Sequence, residues 1–406
     1  MSTQAESVGR AKHVSFDWIV FAAWIVTAAA VSVRIALASS QNDLVATYAD
    51  AGARWLGGLP LYSTTSGFIY SPLVAGLFAP LSLVPHWVSA ILWRLLNVGV
   101  FAGAIFWWLK SEIHDRVKKR HFSVVFLLLL PLAIGNLNNG QVNPLIIGLL
   151  LFSILAAHYG RWTLCAICIG IATYFKIYPL CVGLLLILFY PRQLAWRLIV
   201  VLVLLGALSF VLQRPSYVLE QYQRWISSRA ADNRRTNMHI APRDFAMLLQ
   251  VFHIYLSARA FLLLQVLAGG LVAIVCWLGR DWPENRRLVC LLTLASCWML
   301  LFGPSTESAT YVVLAPAVVL ALVQAFQQKL PPWMRFLLLA SFIVLLSGLF
   351  ANSFLDLKKG VYSKSVQPFG ALLFTIFAVP WLTTTRFWPA TARVRRLPDE
   401  AQPYRR

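Results

Sequence analysis

Long apolar runs alternate with short polar interruptions over nearly the whole chain. Several of these runs match the roughly 20 apolar residues of one membrane-spanning helix, and others are too short to span alone. The pattern predicts an all-α, polytopic integral membrane protein with about 11–13 transmembrane helices. The apolar segments are 16–38, 68–84, 86–109, 122–135, 144–157, 162–175, 177–190, 198–212, 246–278, 288–302, 309–326, 336–351 and 369–385.

Composition strengthens this prediction and excludes a water-soluble protein. Hydrophobic residues make up 59% of the 406 positions and charged residues 12%, whereas soluble domains have about 45–50% and 25%. All six cysteines fall inside apolar runs, where they act as small hydrophobic residues. The sequence contains neither a glycine-rich nucleotide loop nor a DxD-like acidic pair, so it predicts no metal and no cofactor.

The net charge of +20 is distributed in a way that indicates topology rather than nucleic-acid binding. With the N-terminus inside, 21 basic residues fall on the cytoplasmic side, 11 on the exterior side and three within helices. Lys and Arg are enriched in cytoplasmic loops. Both termini are therefore expected in the cytoplasm, with the chain in the cell (inner or plasma) membrane.

One transmembrane domain, residues 16–385, is predicted between a cytoplasmic N-terminal tail, 1–15, and a basic cytoplasmic tail, 386–406. The longer polar segments lie on its exterior face, near 39–70, 213–245, 303–308 and 352–368. Seven of the 15 acidic residues fall in the same segments. This one-sided polar chemistry favours an enzyme that works at the exterior face.

Asp43 is the candidate general base, because it follows the first helix at the membrane boundary. Partial desolvation there can raise a carboxylate pKa towards the working pH. The alternative is that Asp43 caps the next helix, a short amphipathic one broken at Gly57-Gly58. Tyr62 and Tyr70 precede the re-entry into the membrane and are candidate substrate contacts.

An amide-rich turn and a lone lysine form the next candidate group. Asn139, Gln141 and Asn143 offer neutral donors and acceptors suited to sugar hydroxyls, although Asn-Gly and Asn-Pro are also ordinary turn formers. Lys176 stands in an apolar stretch beside Pro179. A lysine at such a depth needs a partner, so it either holds a phosphate or extends to the interface.

Six arginines with interleaved aromatic residues occupy the exterior segment 213–245. Arginine pairs bidentately with phosphate, so Arg235 and Arg243 are the candidate phosphate ligands, and His239 is a candidate substrate contact. The alternative is an amphipathic helix resting on anionic headgroups. Glu307 enters a later helix from the exterior side, either as a helix-terminal charge or as a second carboxylate facing a cavity.

Taken in order, several of these motifs resemble glycosyltransferase family 87, the multi-spanning polyprenyl-phosphate-mannose-dependent mannosyltransferase-like proteins of the GT-C superfamily. The resemblance covers residues from about 16 to 326. Family members carry histidines where Ser308–Pro316 stands here, and Glu307 or His239 is the expected substitute. The matching residues are Asp43, Tyr48, Gly57-Gly58, Leu61-Tyr62, Tyr70-Ser71-Pro72, Pro80-Leu81, Pro85, Gly140-Gln141-Val142-Asn143, Gly170, Lys176-Ile177-Tyr178-Pro179 and Pro191-Arg192.

This resemblance implies a GT-C-like fold and an inverting transfer at the exterior face. A hexose, mannose being the expected one, would move from a polyprenyl-phosphate-linked donor to the hydroxyl of a glycolipid or glycan acceptor. Asp43 would be the base, and Lys176 with Arg243 would hold the lipid phosphate. Membrane lipids are the other expected partners, and no nucleic acid is.

Two other functions fit the same composition. One is a proton-coupled transporter or flippase of an anionic lipid or solute. It would place paired charges near the bilayer midplane, whereas Arg34, Arg94 and Arg259 lie within helices without obvious acidic partners. The other is a ligase or polymerase of lipid-linked glycans, which would share the exterior arginines.

Overall fold

Helices account for all the regular secondary structure that the computed structural model describes, in residues 2–37, 43–62, 67–114, 117–231, 234–238, 240–304, 306–354 and 360–388. The α-helices are α1 Ser2–Leu37, α2 Leu44–Leu56, α3 Pro72–Phe78, α4 His86–Lys110, α5 Phe122–Asn139, α6 Asn143–His158, α7 Trp162–Phe175, α8 Leu180–Phe189, α9 Pro191–Leu212, α10 Pro215–Ala230, α11 Phe245–Val251, α12 Ala258–Leu278, α13 Glu284–Leu301, α14 Ala315–Gln327, α15 Pro332–Phe354 and α16 Val361–Thr383.

Seven helical segments in the described ranges are long and apolar enough to cross a membrane. They are Phe16–Leu37, His86–Lys110, Lys119–Asn139, Pro191–Leu212, Ala258–Leu278, Pro332–Leu349 and Val361–Thr383. Four shorter apolar helices, α6, α7, α8 and α14, accompany them. The prediction of an all-α, polytopic integral membrane protein is confirmed.

The helix α6 lies at the centre of the bundle, between α4 and α7. Nearly all of its side chains are buried. A Cβ atom on Gly148 would lie 2.9 Å from Cγ1 of Val100 on α4, so the two backbones approach closely. The outer helices α1 and α12 instead expose most of their apolar side chains, as lipid-facing helices do. The polar residues at the start of α6 therefore project from a helix that is tightly packed within the bundle.

Glycine and proline mark the helix boundaries around the site. Gly140 ends α5 in the left-handed conformation, with φ of +64°, where a residue without Cβ carries no steric cost. Pro144 occupies the first turn of α6 and Pro191 that of α9. Gly57 caps α2, at the break that the sequence predicts there.

The structure differs from the predicted segments at three places. The helix α1 begins at Ser2, so residues 2–15 of the predicted N-terminal tail are part of the first helix. The apolar run 246–278 is divided by a non-helical stretch between α11 and α12, where His253 has φ of +59°. Much of the predicted loop 352–368 is helical, because α15 reaches Phe354 and α16 begins at Val361. The tail beyond residue 388 lies outside the described residues.

Candidate active site

A cavity of about 510 Å³ opens where α7 is followed by α8 and where α10 ends. Its wall combines apolar surface with three cationic side chains, Lys176, Arg229 and Arg234. Tyr70, Trp225 and Glu307 complete the polar and aromatic part of the lining. A volume of this size is typical of sites that bind small molecules.

Lys176 reaches the cavity because α7 ends one residue before it, and its own backbone is extended. Its ammonium group donates to Oδ1 of Asn143 at 2.8 Å. The same oxygen accepts from the Tyr178 hydroxyl at 3.5 Å, and the Asn143 amide donates to Oδ1 of Asn136 at 3.1 Å. Asn143 is fully buried, so it positions the lysine rather than facing the cavity.

Glu307 is the carboxylate of the cavity wall. Its Oε2 lies 3.4 Å from Nε2 of Gln141, and its Oε1 lies 3.9 Å from Nη1 of Arg234. The side chain also caps a short 3₁₀ helix, Ser308–Val313, in a reciprocal arrangement with Thr310. Both readings of the sequence, helix-terminal charge and cavity carboxylate, therefore apply to the same residue.

Two tyrosines belong to the loop between α2 and α3: Tyr70 lines the cavity, and Tyr62 contacts Tyr70 from outside the lining. The Tyr70 hydroxyl is 2.9 Å from that of Tyr48, and the Tyr62 hydroxyl donates to the Tyr70 carbonyl oxygen at 2.7 Å. Burial raises the pKa of both Tyr62 and Tyr70, and the Glu307 carboxylate raises that of Tyr70 further. Both hydroxyls are therefore neutral hydrogen-bonding groups at physiological pH.

Asp43 is buried beside the cavity in a cluster of charges and is not one of the residues that line it. Its Oδ1 lies 3.0 Å from Nη2 of Arg94 and accepts from the Val45 backbone N–H at 3.1 Å, capping α2. Its Oδ2 lies 3.3 Å from Nε2 of His86. The capping role is thus present, together with an ion pair.

Arg94 connects three parts of the fold. Besides Asp43, its guanidinium group donates to the carbonyl oxygens of Leu137 at 2.6 Å and Asn138 at 3.0 Å, in the last turn of α5. The Leu137 oxygen also accepts from the Gly140 N–H at 3.4 Å, and the Asn138 oxygen accepts from Arg34 at 3.0 Å. The two arginines thus supply donors to carbonyl groups at the end of a helix. The expectation that Arg94 has no acidic partner is wrong, because folding brings Asp43 to it from 51 residues away.

Two of the three predicted phosphate ligands are engaged elsewhere. Arg235 pairs with Asp244 at 2.6 Å, and Arg243 is buried, donating to the Ser363 carbonyl oxygen at 3.1 Å. Neither residue lines the cavity, whereas Arg229 and Arg234 of the same segment do. The physical reason is that Arg229, near the end of α10, lies at the cavity, whereas the other two arginines are held by later helices. Arg235 pairs with Asp244, which caps α11, and Arg243 contacts Ser363 of α16.

The other predicted contacts divide between the cavity and its surroundings. Gln141 reaches Glu307, while the side-chain oxygen of Asn139 accepts from the neighbouring Asn138 amide at 3.4 Å, and Asn139 is not one of the residues that line the cavity. His239 lies outside the described residues. In the described part of the chain, no group of three or more His, Cys, Asp or Glu side chains is arranged to hold a metal ion.

The sequence profile of glycosyltransferase family 87 matches residues 68–304, more than half of the chain. The chain belongs to glycosyltransferase family 87. The matched region of this family 87 protein includes Lys176, Arg229 and Arg234 from the cavity.

One curated relative of the family 87 protein is the "Polyprenol-phosphate-mannose-dependent alpha-(1-2)-phosphatidylinositol pentamannoside mannosyltransferase" of Mycobacterium tuberculosis (strain CDC 1551 / Oshkosh). It is 29% identical over 121 residues, which are 28% of this chain and 26% of the relative. The alignment thus spans about a quarter of that relative's length. The crystal structure of ArnT from Cupriavidus metallidurans bound to undecaprenyl phosphate superposes with a TM-score of 0.41 and 15% identity, over 90% of this chain and 78% of that one.

Proposed function

We propose that this protein is a membrane glycosyltransferase that moves a hexose, mannose being the expected one, from a polyprenyl-phosphate-linked donor to an acceptor hydroxyl. The observation that carries this proposal is the cavity that Lys176, Arg229 and Arg234 line together with apolar and aromatic residues. Such a lining suits a ligand with a phosphate at the end of a hydrocarbon chain. Membership of family 87 and the name of the mycobacterial relative support the same donor class.

The donor phosphate would lie among the three cations. Arginine and lysine form charge-assisted hydrogen bonds with phosphate oxygens. As the bond between the sugar and the phosphate breaks, negative charge grows on the leaving phosphate. Fixed cations in a site with little water stabilise that charge without reorganising. Most of the barrier lowering in this proposal comes from these cations.

The transfer itself conserves atoms in a simple way. A carboxylate takes the proton of the acceptor hydroxyl, and the oxygen attacks the anomeric carbon from the side opposite the phosphate. The bond from that carbon to the phosphate oxygen breaks, and polyprenyl phosphate leaves. The sugar is inverted at the anomeric carbon. The acceptor is a glycolipid or glycan, reached from the exterior face, with both termini in the cytoplasm.

Asp43 is the proposed base, and Glu307 is the competing carboxylate. Asp43 is buried, but its partner His86 is partly exposed, with 32% of its side chain accessible. If His86 moved away, an acceptor hydroxyl could approach Oδ2 of Asp43 in its place. Glu307 lines the cavity directly, with 45% of its side chain accessible, and contacts Gln141 and Arg234. We favour Glu307 as a group that orients the sugar.

The phosphate contacts are tested by comparing single Met variants of cationic residues. Lys176→Met and Arg234→Met should each raise the apparent KM for the lipid-linked donor about tenfold to a hundredfold, the usual effect of losing a hydrogen bond to a charged group. Arg224→Met is the matched control, because Arg224 pairs with Glu220 and does not line the cavity. Arg243→Met should lower thermal stability and leave the donor KM unchanged.

The measurement is transfer from labelled polyprenyl-phosphate-mannose in reconstituted vesicles, at equal protein level. A donor KM that stays at the wild-type value in both Lys176→Met and Arg234→Met would remove the phosphate assignment. Released polyprenyl phosphate, rather than diphosphate, distinguishes this reaction from that of a glycan ligase or polymerase.

The base is tested with isosteric amides. Asp43→Asn should lower kcat by about 10²–10⁴-fold, as expected for loss of a positioned base. Glu307→Gln should change the donor or acceptor KM more than kcat. If Asp43→Asn transfers at the wild-type rate while Glu307→Gln is inactive, the two roles are exchanged.

A further inference from the structure

A second cavity, of about 480 Å³, lies between the start of α5 and the helices α14 and α15. Its rim carries Lys118, Arg120 and His121, and its wall is apolar, with Val124 and Leu322 among its residues. None of the ten described residues that line it is acidic. The combination of a basic rim and an apolar wall is distinct from the site described above.

This cavity lies at the opposite end of α5 from the candidate active site. The span that contains α5 covers Lys119–Asn139, 21 residues, which corresponds to about 30 Å at 1.5 Å per residue. That length equals the hydrocarbon thickness of a bilayer, about 30 Å. Gly140 and Gln141, beside Asp43 and Glu307, follow directly at the far end. The second cavity therefore faces the other leaflet, the one that the charge distribution predicts to be cytoplasmic.

Gln327 in the cavity wall and Arg335 next to the wall carry buried polar atoms without a hydrogen-bond partner in the described part of the chain. Gln327 lines it, and both atoms of its side-chain amide are buried without a hydrogen-bond partner in the described part of the chain. Nε of Arg335 is buried in the same state, and the Arg335 guanidinium lies 5.6 Å from the ring centre of Phe326, another lining residue. Unsatisfied buried polar groups are costly, so a bound ligand with both acceptor and donor atoms would stabilise them.

We propose that this cavity binds an anionic phospholipid of the cytoplasmic leaflet. The phosphate would contact Lys118 and Arg120, the glycerol region would reach the Gln327 amide, and the acyl chains would lie along Val124, Leu128 and Leu322. Charge complementarity carries the assignment, because basic pockets between transmembrane helices on the cytoplasmic side suit such headgroups. Because most of the wall is apolar, we expect binding to need the acyl chains of the lipid as well as its headgroup.

Native mass spectrometry of the full chain in detergent tests this site with three probes. Phosphatidylglycerol should bind at least about tenfold more tightly than phosphatidylcholine with the same acyl chains. Glycerol 1-phosphate should show no binding at the concentrations where phosphatidylglycerol saturates. Equal binding of the two phospholipids, or equal binding of glycerol 1-phosphate, would overturn the proposal.

Variants separate this cavity from the general basic surface. Lys118→Gln with Arg120→Gln should abolish the preference for phosphatidylglycerol. The matched control is Arg192→Gln with Arg197→Gln, which removes the same charge at the start of α9 and should keep the preference. Equal loss in both pairs would mean that surface charge alone attracts the lipid, and would overturn the site.

A third variant tests the wall without changing any charge. Leu128 is half-buried in the lining, and Leu128→Trp would fill the cavity. Phosphatidylglycerol binding should fall to the phosphatidylcholine level although Lys118 and Arg120 remain. Unchanged binding would overturn the proposal. This variant and the three probes still decide the question if the double charge variant does not fold.

Discussion

At the residue scale, Gly140 determines how closely α5 approaches Asp43. A Cβ atom at this position would lie 2.8 Å from Oδ1 of Asp43 and 2.6 Å from Cγ2 of Val45. The Gly140 carbonyl oxygen also accepts from Nε1 of Trp93 at 2.8 Å. The positive φ and the tight space together make glycine the residue that fits between α5 and the buried carboxylate.

Gly140→Ala is therefore expected to displace Asp43 and its partner Arg94. Gly160 is the control, because it has a similar φ of +68° and nothing within 4 Å of its Cβ position. Both substitutions carry the left-handed strain of about 1–2 kcal/mol. Only Gly140→Ala should also lower transfer, by about 10²-fold, the effect of a misplacement near 1 Å. The measurements are thermal unfolding in detergent and donor turnover, and equal turnover in the two variants would contradict this prediction.

The sequence identifies Asp43 and Lys176 as site candidates because their local context is unusual. A carboxylate at a membrane boundary and a lysine in an apolar run both require a special partner. It does not identify the partners, Arg94 and His86. These come from α4, and only the packing of α2 and α5 around that helix brings them to the carboxylate. The available signal was Arg94 itself, a charge within an apolar helix.

At the element scale, α10 carries Trp225 and Arg229 to the cavity and is held to the segment after α2 by hydrogen bonds. Oε1 of Gln221 accepts from the Leu61 backbone N–H at 3.0 Å. Nε1 of Trp225 donates to the Ile69 carbonyl oxygen at 3.1 Å. The position of Arg229 in the cavity therefore depends on contacts made elsewhere on its helix.

Gln221→Ala should loosen α10 although Gln221 is not a cavity residue. It leaves the buried Leu61 N–H without its acceptor, at a cost of about 1–3 kcal/mol, and we expect a higher donor KM with little change in kcat. Gln221→Glu keeps an acceptor oxygen and should restore the KM. Gln223→Ala, at an exposed position of the same helix, is the control. A Gln221→Ala variant with the wild-type donor KM would show that α10 is held in other ways.

The sequence predicts that the 213–245 segment supplies phosphate ligands, but the choice among its six arginines depends on helix rotation and chain direction. Arg229 and Arg234 line the cavity, and Arg235 pairs with Asp244 instead. A shift of one residue changes which side chain faces the ligand. Charge content is readable from the sequence, whereas contacts between distant residues, such as the pair of Arg235 with Asp244, determine which arginine remains at the cavity.

At the scale of the whole molecule, the charge distribution predicts one orientation in the bilayer. Cysteine labelling tests it, because the six native cysteines are buried or half-buried. Arg224→Cys, on α10, should react with a membrane-impermeant maleimide in intact cells. Lys119→Cys, before α5, should react only after permeabilisation. The reverse pattern would contradict the proposed exterior location of the active site.

The depth of the break between α7 and α8 has a consequence for the surrounding lipid. The Tyr174 hydroxyl donates to the Leu202 carbonyl oxygen at 2.7 Å, although α9 continues ten residues further to Leu212. Lys176, two residues after Tyr174, thus lies on the order of 10 Å below the end of α9 along its axis. A donor phosphate would have to descend below the headgroup plane to reach it. We therefore expect the use of the lipid-linked donor to depend on bilayer thickness, because a thin bilayer shortens this descent and a thick one lengthens it.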